Sequence, residues 1–63
     1  MKIFLEKEQK HVEVKGNTVS EILANLEINP TTVIVSKNGN LVIGEEKITS
    51  KDNITIFTVV SGG

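Results

Sequence analysis

Thr18-Val19-Ser20-Glu21-Ile22-Leu23-Ala24-Asn25-Leu26 is the stretch of this 63-residue chain on which its architecture turns. Thr18 and Glu21 have the T-x-x-E spacing of a capping box, in which the threonine hydroxyl accepts from the Glu21 amide and the Glu21 side chain reaches back. Val19, Ile22, Leu23 and Leu26 recur at i, i+3, i+4 and i+7, which aligns them on one stripe of a helix running to about Glu27. A single apolar stripe has to be buried against something. The segments on both sides of it supply strands.

Upstream, Lys2 to Glu6 alternates with Ile3 and Leu5 on one side, Lys7-Glu8-Gln9-Lys10 is a polar link, and His11 to Lys15 alternates again with Val12 and Val14 inward. Period two on both sides of a short polar link predicts an antiparallel hairpin, closed by Gly16-Asn17. Downstream, Asn29-Pro30 ends the helical segment and Thr31 to Ser36 is rich in β-branched residues. Asn38-Gly39 is the favoured pair for a tight turn, and Leu41-Val42-Ile43 pairs back. Gly44 to Asn53 reads as a polar connection with a helical turn near Thr49 to Lys51, and Ile54 to Val60 as the last strand. The order ββαβββ, with one helix laid across one sheet of four to five strands, predicts a single α+β domain over residues 1–60, followed by a flexible tail at 61–63.

A domain this small often relies on disulfides or metals. Here there is no cysteine, and one histidine with scattered carboxylates offers no metal-ligand cluster, so neither a metal nor a bound cofactor is expected. Seven lysines, no arginine and eight acidic residues give a net charge of −1 with both signs interspersed, which excludes a strong phosphate-binding surface and hence nucleic acid as a partner. Two phenylalanines are too few for a base-stacking platform. The longest apolar runs are three residues, so no membrane span or signal-peptide core is expected. These features predict a cytoplasmic domain, monomeric when free.

The chain ends Val60-Ser61-Gly62-Gly63. Glycine makes up about 7% of average usage, so two terminal glycines arise by chance in roughly one chain in two hundred. Lacking Cβ atoms, the pair can thread a narrow channel in a partner enzyme where any side chain would collide. The Gly63 carboxylate is then a candidate reactive group, with Gly62 its slender stalk. A carboxylate by itself is unreactive towards thiols and amines, so activation must come from elsewhere.

Thr18-Val19-Ser20-Glu21-Ile22-Leu23, Asn38-Gly39, Asp52-Asn53-Ile54 and above all Val60-Ser61-Gly62-Gly63 give the chain, over essentially its whole length, a resemblance to the ubiquitin-like sulfur carriers of the ThiS and MoaD type and the small archaeal ubiquitin-like modifiers related to them. It departs from the usual ThiS pattern in having Lys51-Asp52-Asn53 where Gly-Asp is common and no arginine after the fourth strand. The resemblance implies a β-grasp topology, with the first and last strands adjacent and parallel in mid-sheet. It also implies a mechanism in which a partner enzyme adenylates Gly63 with ATP and Mg²⁺, and a sulfur donor protein converts the product to a thiocarboxylate. The sulfur then passes to an accepting synthase, in thiamine, molybdopterin or tRNA thiolation pathways. In the modifier branch the activated Gly63 is joined instead to lysines of target proteins. On either branch the domain is a substrate and carrier, not an enzyme. An incidental tail on a plain interaction module is the reading from a different class.

Phe4, Ile34, Phe57 and Val59 are out of phase with the inward sets Ile3/Leu5, Val33/Val35 and Ile54/Ile56. If the first, last and third strands are neighbours, these four form an apolar patch on the sheet face away from the helix, a candidate partner-docking surface. His11, on an alternating strand beside Glu13 and Lys15, reads as solvent-facing; Glu45-Glu46 reads as part of a mobile polar loop, and Lys37, Lys47 and Lys51 as solvated surface. No catalytic constellation can be assembled from the chain's own residues.

Overall fold

Residues 1–59 are described by the structure, a computed structural model. The helix α1 spans Val19–Asn25, and Thr18 caps it in extended conformation (φ −135°, ψ 164°), its Oγ1 accepting from the Glu21 amide at 3.2 Å. The returning Glu21 carboxylate accepts from the Asn17 amide at 2.7 Å, one residue earlier than in a standard capping box. Val19, Ile22 and Leu23 are buried and Leu26 is half-buried, as the stripe requires.

α1 stops two residues before Glu27, the end expected from its periodicity. The Ile28 amide donates to the Leu23 carbonyl (2.9 Å) and the Glu27 amide to the Ala24 carbonyl (3.1 Å), the paired bonds of a Schellman motif. Glu27 occupies its left-handed position with φ 59°. That position is normally glycine, because a Cβ there meets the following carbonyl at a cost of roughly 1–2 kcal/mol. Glu27→Gly is therefore expected to stabilise the domain by about 0.5–1 kcal/mol after allowing for the looser unfolded chain, a melting rise of roughly 3–6 °C in a calorimetric scan.

Five strands form one mixed sheet in the order β2-β1-β5-β3-β4, with β1 at Lys2–Leu5, β2 at Lys10–Glu13, β3 at Val33–Lys37, β4 at Asn40–Val42 and β5 at Ile54–Thr58. β1 and β5 are parallel, with Ile3 beside Ile54 and Leu5 beside Ile56; the other pairs are antiparallel. With α1 packed over one face, this is the ββαβββ β-grasp arrangement. Thr31 and Thr32, expected in β3, instead belong to a 3₁₀ turn at Pro30–Thr32. The Asn29 side chain caps that turn by accepting from the Thr31 amide (3.0 Å), and Pro30 occupies the first position, where no amide donor is needed.

The core lies between α1 and the sheet and comprises Ile3, Val14, Val19, Ile22, Leu23, Val35, Ile48, Ile54 and Ile56. Among the described residues no polar side chain is buried. Ile48 corrects the expectation of a purely polar connection over Gly44 to Asn53. Its side chain is 4% exposed, and it pins the segment as a strap across the start of α1. The Gly44 carbonyl accepts from Ser20, the Glu46 carbonyl accepts from Val19, and the Ile48 amide donates to Asn17. The strap also holds Glu46, whose carboxylate meets the Lys37 ammonium at 2.8 Å. That bond pushes the Lys37 pKa up, so Lys37 and Glu46 do not fit the freely solvated or mobile reading, while Glu45 is exposed.

The Asn38-Gly39 turn joins β3 to β4 with φ 52° and 89°, the two positive angles of a type I′ turn. Asn38 also ties the turn to the approach of β5. Its amide donates to the Asn53 carbonyl (2.8 Å), its Oδ1 accepts from the Asn53 amide (2.9 Å), and its Nδ2 donates to Asp52 Oδ1 (2.9 Å). Asp52 Oδ2 accepts from the Thr49 amide (2.8 Å), which closes a single turn at Thr49–Asp52 where a helical turn was expected. Donation from Asn38, then from Thr49, holds the Asp52 carboxyl below its ordinary pKa. The clamp is thus intact at neutral pH and weakens as acid protonates that carboxylate.

Candidate functional site

β5 lies third of five strands, and its outward residues Thr55 and Phe57 sit in the middle of the sheet face opposite α1. Phe57 is directly across from Ile34 on β3. Val59 follows two residues later, its amide donating to the Thr32 carbonyl at 2.9 Å, so this pairing guides the chain past the end of β5. Ile34, Phe57 and Val59 thus come together, 39%, 37% and 53% exposed.

Phe4 stands apart from them. On β1 it lies beside Thr55 of β5 and opposite His11 of β2, and the rings of Phe4 and His11 approach to 4.9 Å between centroids at 53°. His11 is exposed and shields Phe4, which is only half-accessible. Two residues not singled out in the sequence extend the patch on its other side. Leu41 is 70% exposed opposite Ser36, and Ile43, directly after β4, is 71% exposed. The signal for both was present: counting back from the Asn38-Gly39 turn sets Val35 opposite Val42, so Leu41 and Ile43 have to face outwards.

The face is uncharged around Ile34 and Phe57, and Lys2 and Glu13 share its β1–β2 end. Between Leu41 and Phe4 the intervening outward positions are Ser36 and Thr55. Neighbouring exposed apolar side chains on a domain this small fit a partner surface better than a solvated one. Among the described residues no group of three His, Cys, Asp or Glu side chains gathers at metal-binding distance, and no helix is long and apolar enough to cross a membrane. Gly62 and Gly63, the candidate reactive end, lie with Val60 and Ser61 outside the described residues.

The sheet order and the helix crossing one face define a ubiquitin-like β-grasp domain. The model of the ThiS family matches residues 2–63, and the chain belongs to that family of small ubiquitin-like sulfur carriers. Such carriers are worked on by other enzymes and are not themselves catalysts. The chain is 37% identical over 57 residues to the sulfur carrier protein TtuB of Thermus thermophilus, an alignment covering 89% of this chain and 88% of TtuB. It is also 36% identical over 58 residues to an uncharacterized protein of Archaeoglobus fulgidus, covering 92% of this chain and 85% of that one.

Proposed function

We propose that this chain carries sulfur as a thiocarboxylate on Gly63, made by partner enzymes and handed on to a biosynthetic acceptor. Family membership supports the carrier role, and the continuity of β5 with Val60-Ser61-Gly62-Gly63 supports the site. Residues 61–63 act as the tail of a β-grasp domain. A Gly63 carboxylate oxygen attacks the α-phosphorus of ATP, pyrophosphate leaves, and the acyl adenylate provides a good leaving group. The terminal sulfur of a donor persulfide then attacks the carbonyl and AMP departs. A second thiol cleaves the resulting acyl disulfide, leaving the thiocarboxylate on Gly63 and a disulfide on the donor. The chain has no cysteine, so every thiol in this sequence belongs to a partner.

The activating enzyme is the occupant proposed for the apolar face. β5 runs through the middle of that face and leads straight into the tail, so an enzyme reading Gly63 is brought against Phe57, Ile34 and Val59. Replacing Ile34 and Phe57 together by serine is expected to lower kcat/KM for adenylation roughly thirtyfold, as loss of an interface hot spot does. ATP–pyrophosphate exchange measures it, and an unchanged value would remove the face from the docking role. The carrier reading is tested by intact mass of the protein isolated from its own cells. A gain equal to exchanging one oxygen for sulfur supports it. Adducts linked to lysines of other proteins, with no such gain, would replace it with a modifier role.

A further inference from the structure

Asn38 is the one asparagine in the sequence followed by glycine, the dipeptide most prone to spontaneous loss of the side-chain amide because the next residue offers no steric cover to its backbone nitrogen. In that reaction the Gly39 nitrogen loses its proton to base and attacks Asn38 Cγ, the Cγ–Nδ2 bond breaks, and ammonia leaves. Water then opens the cyclic imide at either carbonyl to give aspartate or isoaspartate. The ring closes only if Cγ can swing towards Gly39.

Here it is held at both ends. Nδ2 donates to Asp52 Oδ1 at 2.9 Å and Oδ1 accepts from the Asn53 amide at 2.9 Å, so both hydrogen bonds have to break before attack. The left-handed φ of 52° and the amide bond to the Asn53 carbonyl fix the backbone as well. We propose that Asn38 is a latent deamidation site, held off by the Asp52–Asn53 clamp and released when that clamp opens. The product cannot restore the clamp. A carboxylate in place of Nδ2 faces the Asp52 carboxylate, while an isoaspartyl linkage adds a backbone carbon to a two-residue turn and shifts β4 against β3. The modification is therefore a one-way mark of molecules that have opened at this corner, whether or not the chain carries sulfur.

The test is peptide mapping by mass spectrometry of the full-length protein held in mildly alkaline buffer, with and without urea. Deamidation at Asn38 is expected to be at least about tenfold slower in the native than in the denatured chain. Asp52→Ala removes the acceptor for Nδ2 and should speed the native reaction several-fold, whereas Lys51→Ala, which leaves both Asp52 oxygens in place, should leave it near the original rate. Melting curves of both variants establish that they are folded. If Asp52→Ala does not fold, the comparison of native and denatured unmodified protein decides alone. Equal rates in the two states, faster loss at another asparagine, or no acceleration in folded Asp52→Ala would each overturn the proposal.

Discussion

Deleting Gly63, or adding one residue beyond it, is expected to reduce adenylation at least about a thousandfold while leaving the melting temperature unchanged. On the proposed mechanism the activated atom is the main-chain carboxylate of Gly63, and one residue more or less displaces it by up to roughly 3.5 Å of chain. Misplacement of about 1 Å costs on the order of a hundredfold where attack depends on alignment with the α-phosphorus. The variant domain keeps every strand and the whole core, because the sheet ends at Thr58. Pyrophosphate exchange and a melting curve on one preparation therefore separate the two effects. Full activity in either variant would show that the terminus is incidental and return the domain to a plain interaction module.

Ile22→Ala carries the largest expected effect on stability. Ile22 is 1% exposed at the centre of the helix stripe, and truncating such a side chain costs roughly 2–5 kcal/mol through lost transfer energy and the cavity left behind. At about 0.05–0.15 kcal/mol per residue, 63 residues hold roughly 3–9 kcal/mol in all. The substitution removes a large share of that. A fall in melting temperature of about 12–24 °C is expected for a mid-range loss, and about 5 °C for Ile22→Val. Chemical denaturation of the three proteins should give the same order. An Ile22→Ala protein melting within a few degrees of the parent would mean that α1 does not seat on this face.

Much of this could be read from local pattern. The Thr18 cap, the stripe from Val19 to Leu26, the Asn38-Gly39 turn and the alternation of Ile3/Leu5 and Ile54/Ile56 are each decided by neighbours a few residues away, and each is present, although α1 ends at Asn25 and β5 at Thr58. Features depending on long-range contacts were hidden. Ile48 sits among Glu, Lys, Thr and Ser, with no periodicity to mark it, and its burial follows from packing against a helix some 25 residues upstream (48−23). Glu27 does not advertise a left-handed helix end because the usual glycine is missing. The separation of Phe4 from Phe57 needed the stagger between parallel strands. Ile34 and Phe57 meet because β3 and β5 pair antiparallel in the register that sets Val35 beside Ile56.

The place of β5 between β1 and β3 has a temporal consequence. On a growing polypeptide the first four strands leave the ribosome as two separate hairpins, with nothing bridging them except α1. Ile3 meets Ile54 across 51 positions (54−3), so the sheet knits together only once β5 has been made. A nascent fragment broken off before Ile54 has no central strand and is open to proteolysis. Until β5 is in place the two hairpins share no edge, and its arrival closes the sheet in one event.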